Sequence, residues 1–139
     1  MTTAREIMSR DVTCVGEKES LAEAARKMSE LNVGSLPICG EDNRLHGMLT
    51  DRDIVVKALG QGRNPAEVTA ADLAQGKPVT IGADDDAAEI LRTMSQHKVR
   101  RLPVIDGHDL VGIVSQADLA KAIDEEQVGD LVEAISAAP

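Results

Sequence analysis

The strongest constraint on this chain is that it states one pattern twice. Leu36-Pro37-Ile38-Cys39, a polar turn, and Gly47-Met48-Leu49-Thr50-Asp51-Arg52-Asp53 recur as Leu102-Pro103-Val104, a second turn, and Gly112-Ile113-Val114-Ser115-Gln116-Ala117-Asp118. Each copy runs apolar-Pro-apolar, turn, Gly with apolar positions, then Thr or Ser with Asp three residues on. Met28 and Met94 precede the two prolines at equal distance. Self-similarity of this kind fixes the architecture before any single element is placed. It predicts an α/β (α+β) chain in which one βαββα unit occurs twice, with function sought where the copies meet.

The elements follow from local pattern. Residues 3–10 form a short helical turn anchored by Ile7 and Met8, and Val12-Thr13-Cys14-Val15 is β-prone. Ser20 opens a helix with Glu23 in capping-box position. Leu21, Ala24, Ala25, Met28 and Leu31 mark its buried face, and Asn32-Val33-Gly34 ends it, with Gly34 the expected left-handed cap. Ser35–Cys39 is a strand whose Pro37 calls for an edge or a bulge. Residues 45–49 return, and Thr50 begins a helix through Ile54, Val55 and Ala58 to Gly60. Residues 61–75 link the copies.

The second copy opens on Pro78-Val79-Thr80-Ile81. Asp86 caps a helix with Glu89 in capping-box position, and Ile90, Leu91 and Met94 face inward. A strand over 99–105, a tight hairpin at Asp106-Gly107, a return strand over 110–114 and a helix from Ser115 complete it. Val128, Leu131, Val132 and Ile135 then form an apolar stripe in an acidic tail, expected to pack on the domain or on a partner subunit. The predicted division is residues 1–64, residues 65–124 with the linker and second copy, and a tail over 125–139.

Composition narrows the function. The 139 residues are 42% hydrophobic, ordinary for a globular chain, and contain no Phe, Tyr or Trp. Base stacking on aromatic platforms, the usual mode of single-strand binding, is therefore excluded. A net charge of -9 argues against duplex nucleic acid or an anionic membrane as partner. Residues 1–64 carry 9 basic and 10 acidic side chains, net -1, leaving -8 for residues 65–139. An anionic ligand must then be met by local cations, and His97, Lys98, Arg100 and Arg101 are the dense cluster available. No run reaches signal-peptide or membrane-span character, which sets the expected location as cytoplasmic. Cys14 and Cys39 are too few for a disulfide scaffold. With His46, His97 and His108 they show no ligand spacing, so no metal is assigned. No Ser-His-Asp order, phosphate-binding glycine loop, HExxH or CxxC appears, and the chain is read as non-enzymatic.

The tandem LPICG…GMLTDRD and RRLPVID…GIVSQAD resembles a CBS-domain pair, also called a Bateman module, over residues 1 to about 124. The first half (TAREIM, VTCVGE, LPICG, LHGMLTDRDIV) is similar to small stand-alone pairs of the actinobacterial hypoxic-response type. The resemblance implies two repeats packed about a pseudo-twofold axis, and dimerisation into a disc. It also implies adenosine ligands such as AMP, ADP, ATP or S-adenosylmethionine in the clefts.

Carried onto this chain residue by residue, the resemblance makes Asp53 and Asp118 acceptors of ribose hydroxyls. Thr50 and Ser115 become holders of phosphate at a helix N-terminus; the same Thr50-x-x-Asp53 and Ser115-x-x-Asp118 spacing also serves simple helix capping. Pro37, Ile38, Pro103 and Val104 are core residues that in the family also flank adenine, together with the strand at Thr13 or Thr80. Arg100 or Arg101 would reach a phosphate, for which the guanidinium fork is suited. In the family fold the strands of Cys14 and Cys39 lie side by side, which implies a disulfide closing the first cleft. Two functions stay open: a regulatory module sensing an adenine nucleotide, and a ligand-free stress- or hypoxia-related homodimer acting through protein contacts.

Overall fold

A computed structural model describes residues 2–74 and 76–136. The expected linker end at Gln75 and the tail end over residues 137–139 lie outside the described residues. The chain divides into two compact units, Thr13–Pro78 on one hand and Met1–Val12 with Val79–Pro139 on the other.

In the Thr13–Pro78 unit, β1 (Val15–Gly16), β2 (Ser35–Cys39) and β3 (Leu45–Thr50) form a sheet in the order β1-β2-β3. β1 runs parallel to β2, pairing Val15 with Ile38, and β2 runs antiparallel to β3 from Ser35↔Thr50 to Cys39↔Leu45. α2 (Leu21–Leu31) connects β1 to β2. Its spacing buries Leu21, Ala24 and Met28 against Val15, Leu36, Ile38 and Leu49. Helix α3 (Asp51–Asp53) continues as a π-helical turn over Ile54–Ala58 and a 3-10 turn over Leu59–Gln61. A short α4 (Ala70–Leu73) then adds Ala70 and Leu73 to the same core.

The other unit repeats the plan with β4 (Ile81–Gly82), β5 (Arg101–Asp106) and β6 (Asp109–Ser115) in the order β4-β5-β6. α5 (Ala87–His97) connects β4 to β5, and α6 (Gln116–Ala120) follows β6. Two pieces complete it. The N-terminal helix α1 (Ala4–Ile7) donates Ala4 N–H to the Asp85 carbonyl and Arg5 N–H to that of Ala83, and Ser9 bridges Ile113. The C-terminal helix α7 (Glu125–Ser136) buries Leu131 and Ile135 with Ile90 and Met94 of α5. The compact units thus cut the chain differently from the sequence division: these backbone bonds draw the N-terminal turn to the second copy, while residues 65–74 pack on the first.

Several local expectations change. Helix α2 ends on Asn32, which takes the left-handed conformation (φ 55°) expected at Gly34, and Lys98 (φ 54°) does the same after α5. Asparagine tolerates that region because its short polar side chain bonds locally. Ala25 and Leu31 lie on the open side of α2, Leu31 being 46% exposed, because the helix packs on one side only. The β-prone runs condense to Val15–Gly16 and Ile81–Gly82, leaving Thr13, Cys14, Val79 and Thr80 irregular. Pro37 lies in the middle strand, one residue before a bulge between Ile38 and Cys39 and short of the parallel pairing that starts at Ile38. The missing N–H is accommodated there.

Candidate functional site

The second copy gathers its predicted residues at the open end of the β5–β6 hairpin. Arg101 pairs directly with Ser115, so their side chains share one face of the sheet, and the Gln116 N–H donates to the Arg100 carbonyl at 2.8 Å. Ser115 caps α6: its hydroxyl accepts from the Asp118 N–H at 3.1 Å, and Asp118 Oδ2 accepts from the Ser115 N–H at 2.9 Å. Such reciprocal bonds satisfy backbone donors that a helix start leaves free, and they fix the carboxylate in place. Pro103 and Val104 are buried in the strand behind, with Ile81 pairing Val104 and Thr80 exposed just ahead of it. Both arginines are exposed, and among the described residues neither takes part in an ion pair.

The first copy builds the same frame with other chemistry. Ser35 pairs with Thr50, and the Asp51 N–H donates to the Gly34 carbonyl at 2.9 Å. Thr50 and Asp53 form the same reciprocal box, at 3.0 and 3.1 Å. Here, however, the Lys57 ammonium lies 3.1 Å from Asp53 Oδ1, so both carboxylate oxygens are engaged. The Asp51 carboxylate lies against Gly34, 3.2 Å from where a Cβ would stand. Pro37 and Ile38 are buried, and Thr13 is exposed.

Cys14 and Cys39 form a disulfide, with Cα atoms 5.7 Å apart. It joins the segment before β1 to the end of β2. Around it, Lys27 donates to the Cys14 carbonyl and to Glu19, and Gly16 N–H donates to the same Glu19. The Lys27 hydrogen bond, then the Gly16 amide, lower the Glu19 carboxyl below its ordinary value. An open hollow of about 410 Å³, lined in part by Glu17, Leu45, His46 and Lys77, lies at the turn end of the β2–β3 hairpin. Of the predicted site residues it takes only Ile38, because the capping box stands at the opposite end of the strands.

His46 has its two ring nitrogens 3.7 Å from Glu17 and 3.6 Å from Asp42, on opposite sides of the imidazole, and so cannot bring both carboxylates to one ion. Among the described residues no group of three or more His, Cys, Asp or Glu converges as metal ligands. Nor is any described helix long and apolar enough to cross a membrane. Sequence reasoning singled out Asp53 and Asp118 but missed Lys57 and Asp51, which separate the two copies. The i,i+4 spacing of Asp53 and Lys57 on one helix was the available signal.

Residues 4–60 and 70–125 each match the CBS domain family. The chain is 52% identical over 135 residues to Hypoxic response protein 1 of Mycobacterium tuberculosis, covering 97% of this chain and 94% of the relative. Among solved structures, Hypoxic Response Protein I with two coordinated zinc ions is similar at 53% identity with a TM-score of 0.82. The match covers 88% of this chain and all of that one. CBSX2 in complex with AMP shares the fold at 22% identity and a TM-score of 0.76, with 88% of this chain and 96% of that one covered.

Proposed function

The chain belongs to the CBS-domain family, with two CBS repeats, and from that premise we propose a non-catalytic regulatory module that binds an adenine-containing nucleotide. The carrying observation is that each repeat ends its hairpin in a hydroxyl-carboxylate box, half-buried and held by two backbone bonds. In at least one repeat the aspartate of the box, Asp53 or Asp118, is the acceptor for ribose hydroxyls, and Thr50 or Ser115 is the group beside phosphate. Pro37, Ile38, Pro103 and Val104, with Thr13 and Thr80, provide the apolar flank for adenine. Such a slot with few convergent polar groups is the general form of a cofactor site. The AMP held by CBSX2 supports the ligand class.

Signalling by the module requires that the ligand bind one state of the protein more tightly than another. A second copy of the chain is the expected partner. Val55, Val56 and Leu59 are 56%, 45% and 52% exposed on the helical segment after β3 and leave apolar surface open there. Thermal unfolding followed by circular dichroism, with millimolar AMP, ADP, ATP or S-adenosylmethionine, tests the nucleotide reading. A ligand at a hundred times its Kd stabilises by about 2.7 kcal/mol, so one of the four raises the midpoint by several degrees. No shift with any of them refutes it.

One observation favours a second reading, a ligand-free homodimer of stress or hypoxia acting through protein contacts. The Cys14–Cys39 disulfide ties down the segments flanking Thr13 and Ile38, and disulfides are rare in a reducing cytoplasm. In that reading the oxidised chain is the active form, and no nucleotide alters its melting in either redox state.

A further inference from the structure

We infer that the two repeats are not equivalent: the second takes the nucleotide, and the first is closed to it by its own side chains. The inference rests on the nucleotide reading above and assigns it to one set of residues.

Register makes the comparison direct. Ser35↔Thr50 and Arg101↔Ser115 are the same pair of positions, as are Gly34 with Asp51 and Arg100 with Gln116, joined by the same backbone hydrogen bond. Where the second repeat offers two guanidiniums and a neutral amide, the first offers glycine, serine and a carboxylate. A phosphate approaching the second repeat meets cations with no acid at the aligned position, and one approaching the first meets Asp51, offset in part by Arg52 beside it. Within a few ångströms even well-screened like charges repel measurably.

The ribose acceptor differs as well. Asp53 gives one oxygen to the Thr50 amide and the other to Lys57. Asp118 gives Oδ2 to the Ser115 amide, and among the described residues no side chain hydrogen-bonds or ion-pairs with its second oxygen. Four residues after Asp118 stands Ala122, where the first repeat has Lys57. A ribose hydroxyl donor can therefore bind Asp118 without displacing a side chain, whereas at Asp53 it must compete with an ammonium. The disulfide acts in the same direction, binding the first repeat's β1 approach to β2.

The test is a titration of the isotope-labelled full chain with AMP and, in parallel, ATP, followed by backbone amide shifts and by calorimetric stoichiometry. The account expects one nucleotide per chain and saturable shifts at Arg101, Ser115 and Asp118. Asp118→Asn keeps a capping oxygen, and should weaken binding at least tenfold, a larger loss than Asp53→Asn gives. Circular dichroism confirms that each variant folds; should Asp118→Asn fail to fold, Arg101→Ala, also weakened about tenfold, carries the test. Shifts confined to Ser35, Thr50 and Asp53, loss of binding in Asp53→Asn alone, or two equal sites per chain overturn the assignment while leaving the nucleotide reading intact. No response of the parent chain to either nucleotide overturns both.

Discussion

Opening the Cys14–Cys39 bond should cost the Thr13–Pro78 unit a large part of its stability. The bond closes a loop of sequence separation 25. The chain-entropy relation for a loop of this length gives about 3.5 kcal/mol at room temperature, from constraint of the unfolded chain. Little should offset this in the folded state. Cys39 is 5% exposed and stays packed as a thiol, and the Val15–Ile38 pairing does not depend on the bond. With a urea dependence of about 2 kcal/mol per molar for a chain of this size, reductant should lower the unfolding midpoint by about 1.7 M. The assay is urea unfolding followed by far-ultraviolet circular dichroism, since the chain has no Trp or Tyr to report fluorescence. Cys14→Ala should reproduce the reduced midpoint and be indifferent to reductant. Equal midpoints for oxidised and reduced parent chain would refute the reasoning.

Gly112→Ala should destabilise by about 1–3 kcal/mol through overpacking, because the added Cβ would stand 2.8 Å from the Ser9 carbonyl and press on Met8; thermal unfolding measures it. Lowered Glu19 means the folded state binds its proton less readily than the unfolded one. That contribution is present above the ordinary value of 4.5 and is lost as pH falls through the folded value. Lys27→Met, removing the largest cause of the shift, should flatten the loss of stability in urea melts taken on acidification below about pH 5. Leu59→Glu on this exposed surface should leave the far-ultraviolet circular dichroism of the folded chain unchanged and convert a dimer to monomer in sedimentation; an unchanged mass removes that surface as the interface.

The repeat made the fold legible. A duplicated Pro-containing strand, turn and hydroxyl-x-x-Asp box specified two hairpins with capped helices, and the structure contains both, with the predicted inward faces of Leu21, Ala24, Met28, Ile90 and Met94. Boundaries were less legible because backbone pairing, not propensity, ends the short strands: Val15–Gly16 extends only as far as β2 offers partners. Periodicity also over-extended the core at Ala25 and Leu31, since it cannot tell how wide a stripe a neighbouring layer will cover. The destination of the terminal segments depended on long-range bonds such as Ala4 to Asp85, which no local pattern records. At the two boxes, the hydroxyl-x-x-Asp capping pairs were legible and the difference between their neighbours was not. The pairing of Lys57 with Asp53 and the placing of Asp51 against Gly34 come from rotamers that the spacing merely permits.

The central claim is that this CBS pair binds an adenine nucleotide, and calorimetric titration of the purified full chain tests it most directly. AMP, ADP, ATP and S-adenosylmethionine would each be added with and without reductant. The account predicts saturable heat with at least one of them, in both redox states, because Asp118 and Arg101 lie outside the disulfide-closed unit. The absence of saturable binding for all four, oxidised and reduced, would contradict it.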